Sequence, residues 1–301
     1  MKIALDPLPF RHLPIPEMVR TVADLGYEWI EFSQRDDFFP FYLYPRANDD
    51  LVQQLKTALQ ETGVKIASML PILRWSSPDE DERVAAVRSW QRSIDITVEL
   101  GVDQMNSEFS GRPEQSARSE AQWLKSMEVL LPRLEKEGIS LNIEPHPDDF
   151  IEDGIEAVRM IRGLNSKNVG FLYCVPHTFY QGHDPATIVE YAGPDLKHLH
   201  LADSFDHRAS GGRRYLLNPA ETNATVHQHL PYGQGEVDLD GFFAALQRVN
   251  FDGIATVAVF SQEEKAEENS IWMLEETKRR LLGATPASVV SQDAKLESSH
   301  V

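Results

Sequence analysis

The sequence predicts a closed (β/α)8 barrel, and three observations carry that expectation. The first is a repeated helix-to-strand junction. In ADLGYEWIEF, QETGVKIASM, VELGVDQMNSE and EKEGISLNIE an amphipathic run ends at a glycine (Gly26, Gly63, Gly101, Gly138) and an apolar strand follows at once. Glycine readily takes the left-handed conformation that closes a helix. Spacings of 37, 38 and 37 residues between these glycines suit one strand, one helix and two loops. The second is the strand count. KIALD opens the chain, the four junctions start four more strands, and VGFLYCV (169–175), LKHLHLA (196–202) and GIATVAVF (253–260) complete eight. The third is that near-continuous apolar strands separated by helices indicate a parallel sheet covered on both faces. A doubly wound open sheet is the competitor, but no glycine-rich phosphate fingerprint follows the first strand.

The helices carry their own punctuation. Ser77-Pro78-Asp79-Glu80 offers a cap, a first-turn proline and an acid ahead of AAVRSWQRSIDITVEL, and Ser119 with Gln122 repeats the capping box. Pro132 falls inside the fourth helix and is expected to kink it. Residues 1–283 are read as a single barrel domain. Residues 284–301, within ATPASVVSQDAKLESSHV, have no packing period and are read as a flexible C-terminal tail.

Composition narrows the function. With 301 residues, 42% hydrophobic and 25% charged, the chain is long enough for one large core. A net charge of −18 repels phosphate backbones, which argues against a nucleic-acid partner. No apolar run approaches the ~20 residues of a spanning helix, and MKIALDPLPF does not read as a signal peptide. The single cysteine, Cys174, excludes an internal disulfide. A cytoplasmic protein without membrane contact is expected.

In this fold the chemistry sits at the C-terminal ends of the strands and in the loops that follow. Those ends carry Asp6, Glu31, Asn106, Glu108, Glu144, His146, Cys174, His177, His198, His200 and Asp203; the loop from about 204 to 237 adds Arg208, His227 and His229. Eight of the ten histidines fall between residues 146 and 229, after three successive strands, so they can converge on one opening and hold a metal. In LNIEPHPDDF, strand alternation puts Glu144 and His146 on the same side. Glu144 is placed to bind a divalent cation, and His146, slightly higher, to act as the base. The bland alternative is a Glu144 salt bridge to an arginine and a His146 that only caps a loop. His198 and His200 share a face, and His200, nearer the strand end, is chosen as the ligand. Asp148, Asp149 and the EDG after them read as a helix cap. Cys174 is left open, since a thiolate suits zinc and suits manganese or magnesium poorly. Asn106, Glu108 and Asp203 are read as substrate contacts, with Arg208 as a clamp on a loop hinged at Gly211 and Gly212.

These residues resemble a known family. A Glu-Pro ending strand five, C-x-x-H in strand six and H-L-A-D in strand seven are similar to the xylose isomerase-like superfamily of sugar isomerases and epimerases. The resemblance implies a ligand set in which Glu144, His177 and His200 match. Two positions depart from it: Cys174 stands where the family has an aspartate, and Ala258 stands near its strand-eight glutamate. The lost glutamate is one of two carboxylates that the epimerases use as an acid/base pair. His229, with Cys174 or water, is expected to complete the metal site. A closer resemblance, in IEPHPDDF, MNSEFSGRPE, YCVPHTF, ADSFDHRASGGRRY and HQHLPYGQGE, is to the larger (α) subunit of bacterial C-glycoside deglycosidases, over roughly 1–283. That implies a divalent cation, a small β-sandwich partner subunit in a hetero-oligomer, and 3-oxo C-glycosides as substrates.

The mechanism expected from that resemblance is a carbon–carbon lyase. A ketone at C3 acidifies the C2 proton, and its removal lets the C1 substituent leave. An imidazole changes charge near neutrality and suits the base, His146. A cation on Glu144, His177, His200 and His229 stabilises the enolate. Manganese is the expected ion, with magnesium, cobalt or zinc as alternatives. The same parts serve a metal-dependent sugar or sugar-phosphate isomerase or epimerase, the alternative enzyme reading. A non-catalytic sugar-binding barrel is the alternative from another class.

Overall fold

A computed structural model describes residues 1–179, 181–205 and 228–282. The strands are β1 (Lys2–Leu5), β2 (Trp29–Phe32), β3 (Lys65–Met69), β4 (Gln104–Glu108), β5 (Ser140–Glu144), β6 (Val169–Cys174), β7 (Leu196–Leu201) and β8 (Ile254–Val257). They form one closed barrel in sequence order, all parallel, and β8 closes on β1 from Lys2↔Ile254 to Leu5↔Val257. The helices are α1 (Ile15–Asp24), α2 (Asp49–Thr62), α3 (Glu80–Glu99), α4 (Ser116–Glu137), α5 (Gly154–Gly163), α6 (Val175–Phe179), α7 (Pro185–Ala192), α8 (Leu239–Arg248) and α9 (Ala266–Leu282). The predicted barrel is therefore the observed one. Among the described residues no helix is long and apolar enough to cross a membrane. The tail at 284–301 lies outside the described residues.

The four junction glycines all have positive φ, from +69° at Gly101 to +87° at Gly26, which is why a side chain there would strain the turn into the next strand. Helix starts are less well predicted. The cap of α3 is Asp79, which accepts from the Glu82 N–H, two residues beyond the expected Ser77. Ser119 sits inside α4, where its hydroxyl accepts from the Arg112 N–H instead of capping. Pro132 is accommodated within α4, which continues past it to Glu137. For α5 the EDG reading holds, with Asp153 accepting from the Glu156 N–H.

Between barrel and helices the core is aromatic where it supports the opening. Trp75 stacks on Trp90 with ring centroids 4.5 Å apart, and its Nε1–H donates to the backbone carbonyl of Glu108 at 3.0 Å. A buried indole usually finds such a partner, and this one ties Trp75 to the end of β4. Inside the barrel, register sets the levels of the polar groups. Glu108 lies level with Glu144 and Asn106 with Asn142, while Cys174 lies level with His200 and Leu172 with His198. A barrel interior is usually filled by branched apolar side chains; here its upper half is polar and charged.

Candidate active site

Glu144 is the hub of the opening. It ends β5, is 2% exposed, and its Oε2 lies 3.1 Å from His200 Nδ1 and 3.4 Å from His177 Nδ1. His200 comes from the end of β7. His177 comes from α6, a single turn that follows β6 directly and swings the ring over the barrel. His229 enters from the segment after β7 and is locked against β8. Its carbonyl accepts from the Phe260 and Ser261 N–H groups, both at 3.1 Å, and its ring stacks on Phe260 at 4.5 Å. His229 Nδ1 is 2.7 Å from the Ala258 carbonyl. A carbonyl only accepts, so Nδ1 carries the hydrogen and the Nε2 lone pair of the neutral ring faces inward. There it meets His177 Nε2 at 3.3 Å and Cys174 Sγ at 3.9 Å.

The charges follow from burial and neighbours. Burial alone would raise the Glu144 carboxyl, but His200 and His177 hold it below the usual carboxylate range. Burial would likewise neutralise His200, yet Glu144 and Glu31 on either side hold its pKa well above that of a free imidazole. Burial takes His177 down to about 4, and burial with the nearby His177 holds His229 well below its ordinary value. Burial pushes the Cys174 thiol up to about 12.

This donor set fits a divalent cation. Donor atoms of Cys174, His177 and His229 lie within 4.8 Å of one another, as do those of Glu144, Cys174 and His200. Two imidazole nitrogens 3.3 Å apart match the edge of a tetrahedron of nitrogens around zinc, about 3.3 Å for bonds of about 2.0–2.1 Å. His229 also donates its other ring N–H to a carbonyl, the arrangement that orients ligating histidines.

Beside the hub lies a second group. His146 follows Glu144 by two residues and packs edge-on to His177 with centroids 4.4 Å apart. Its Nδ1 donates to the Pro147 carbonyl at 2.7 Å, which leaves Nε2 as the basic atom, 3.5 Å from Glu108 Oε1. The other oxygen of Glu108 is buried without a hydrogen-bond partner among the described residues. Burial raises the Glu108 carboxyl, with His146 opposing and Glu144 adding to the effect. Backbone strain gathers around this opening: Tyr42, Ser110, Asp148 and Gln262, in the loops after β2, β4, β5 and β8, all have positive φ. Non-glycine residues take that conformation at a cost, and they do so most often at functional sites.

A family profile described as xylose isomerase-like TIM barrel matches residues 19–276. The chain belongs to the xylose isomerase-like TIM barrel family. Within it, the chain is 24% identical over 263 residues to a ketose 3-epimerase of Arthrobacter globiformis, covering 84% of this chain and 80% of that protein. It is 21% identical over 245 residues to an inosose isomerase of Bacillus velezensis, covering 79% and 80%. A crystal structure of IOLI protein with a binding zinc atom superposes with a TM-score of 0.71 at 17% identity, over 95% of this chain and 99% of that one, and shows the shared fold. These relatives overturn the lyase expectation. Proteins similar over about four fifths of the chain are a ketose epimerase and an inosose isomerase, so cleavage of C-glycosides gives way to the alternative reading, sugar isomerisation or epimerisation. The β-sandwich partner subunit and the 3-oxo C-glycoside substrate came from the same resemblance and lose their support with it.

Other positions of this family member also need correction. Asn106 is not at the opening. It lies fully buried one level below, its amide bonded to Glu31, His198 and Asn142. Asp203 is 1% exposed and organises a loop: Oδ1 accepts from the Ser204 and Val237 N–H groups, and Oδ2 from those of Gly233 and Gly235. A Cβ on Gly235 would come within 2.4 Å of Asp203 Oδ1, so the wrap requires glycine there. Asp149 turns back to accept from the Ser110 N–H at 2.6 Å rather than capping α5. Glu108 does face the opening, whereas Arg208, Gly211, Gly212 and His227 lie outside the described residues. Hydrogen bonds to a charged group are worth about 1.5–3 kcal/mol each and do not add fully. Asp203→Ala is therefore expected to cost about 3 kcal/mol, read by calorimetry as a melting point about 5–10 °C lower. An unchanged melting point would show that the wrap is dispensable.

Two residues at the centre carry little signal in the sequence. Glu31 is a strand-end acid with no motif around it, and only the barrel's closure brings β2 across to β7. His198 was correctly placed below His200, but its partners, Glu31, Asn106 and Thr256, come from three other strands. The available signal was a strand, WIEF, with an acid inside an otherwise apolar run.

Proposed function

We propose that this chain is a metal-dependent sugar isomerase or epimerase that moves a proton on a carbon next to a carbonyl. The observation that carries the reading is the Glu144 hub with imidazoles at 3.1 and 3.4 Å, and the His146–Glu108 pair at its edge. Glu144, His177, His200 and His229 are the residues that would hold the ion, with Cys174 beside them. When bound, the ion supplies Lewis-acid stabilisation of negative charge developing on substrate oxygen. Zinc is favoured by three imidazoles and a nearby thiol, and by the zinc in the similar structure. Manganese, expected from the sequence, is the other ion to test.

The chain's own residues then divide the work. His146 Nε2 takes the proton from the carbon beside the carbonyl. Glu108, whose carboxyl burial raises, sits where it can exchange a proton with a substrate oxygen, as conversion of one enediol form into the other requires. Inversion of a stereocentre needs a proton group on each face of the sugar; a shift between neighbouring carbons needs one. Near the position of the family's strand-eight glutamate stands Ala258, whose carbonyl holds His229 instead. That favours one-base isomerisation over two-base epimerisation.

The test is proton exchange. Metal-loaded protein incubated with ketoses and inososes in deuterated water is expected to place deuterium on the carbon beside the carbonyl and to release an isomer, both followed by NMR. Absence of exchange with either substrate class, with zinc and with manganese, would contradict the reading.

A further inference from the structure

We propose that Glu31, at the end of β2, is a positioning residue for the candidate centre: it holds the Nε2–H of His200 and so aims the Nδ1 lone pair of that ring at the cation. The inference rests on the reading that Glu144 and His200 bind an ion, and it names which ring nitrogen does so and what enforces the choice.

Glu31 is completely buried. Among the described residues it has no lysine or arginine partner, so its charge is balanced by imidazoles and an amide. Its Oε2 lies 3.0 Å from His198 Nε2, both oxygens lie 3.2 Å from His200 Nε2, and Oε1 accepts from Asn106 Nδ2 at 2.8 Å. A buried carboxylate costs several kcal/mol unless its hydrogen bonds are filled, and here three donors fill them.

Each donor is itself fixed. Asn106 Oδ1 accepts from Asn142 Nδ2 at 2.9 Å, so the amide cannot flip and its Nδ2 must face Glu31 and His198. Asn106 Nδ2 lies 3.1 Å from His198 Nδ1, which makes Nδ1 the acceptor and puts the hydrogen of that ring on Nε2. From there it points to Glu31 and to Thr256 Oγ1 at 2.7 Å. The network runs from β5 through β4 and β7 to β2, and it ends on one face of the His200 ring. The opposite nitrogen, Nδ1, faces Glu144 Oε2 at 3.1 Å. A carboxylate behind a ligating histidine fixes its tautomer and raises its basicity. Glu31 stands in that relation to His200, at the ring nitrogen opposite the one that faces Glu144.

The decisive experiment is NMR of histidine-15N protein loaded with cadmium-113, in which coupling to the metal identifies each ligating nitrogen. The expected result is His200 bonded through Nδ1 with its hydrogen on Nε2. Bonding through Nε2 would overturn the inference while leaving the functional reading standing. Failure of the wild-type protein to take up any divalent ion would instead bring down the functional reading. In parallel, Glu31→Gln, which keeps the shape and removes the charge, is expected to weaken cation binding about 10–100-fold in chelator competition. An affinity within twofold of wild type would contradict the role. The wild-type NMR measurement needs no variant, so it decides even if the buried substitution prevents folding.

Discussion

His146→Ala lowers turnover by about 10²–10⁴-fold, the usual contribution of a positioned base, and leaves the metal content of the protein unchanged. The separation of the two effects is the point. His146 donates Nδ1–H to the Pro147 carbonyl, and its Nε2 looks toward Glu108, not toward the Glu144 carboxylate. Its ring packs edge-on with that of His177. Removing it should slow deuterium exchange into substrate by the same factor while the ion stays bound by the groups around Glu144. A variant that loses the ion along with the activity would show that His146 is a ligand, and the base would have to be sought elsewhere.

Glu144→Gln has the opposite signature and the larger effect. It removes the anion shared by His177 and His200, and the amide offers one weaker oxygen in place of a carboxylate. Cation binding should weaken by more than the about 10–100-fold typical of a residue that acts through a ligand, and turnover should fall at least as far as in His146→Ala. Breaking a buried ion pair also costs stability, about 3–5 kcal/mol when one partner is removed, so the protein should melt measurably lower. Retention of stoichiometric metal in Glu144→Gln would place the ion elsewhere. Glu108→Gln is the useful contrast, because it should keep the ion and lose turnover.

The barrel was legible because its signals are local. Gly26, Gly63, Gly101 and Gly138 each end a helix by a left-handed turn, and that requirement is written in single residues. The hub was legible for a related reason: strand alternation and the clustering of histidines place Glu144 and His200 without knowledge of the fold's interior. What the sequence hides is register across strands that are far apart along the chain. Glu31 and His200 are separated by 169 positions and meet at 3.2 Å only because β2 and β7 close on a common axis. Asp203 and Asn106 misled for the same reason. A polar residue at a strand end looks like a substrate contact until its donors and acceptors are traced, and theirs are spent on backbone amides and on buried side chains. The α3 cap slipped by two residues because Ser77 and Asp79 are both good caps, and only the first turn's geometry chooses between them.

Metal K-edge absorption of the purified, metal-loaded protein tests the central claim most directly. The account predicts one divalent ion per chain whose inner shell shows the multiple-scattering pattern of imidazoles together with carboxylate oxygen. An ion surrounded by oxygen alone, or a protein that retains none after dialysis, would contradict it.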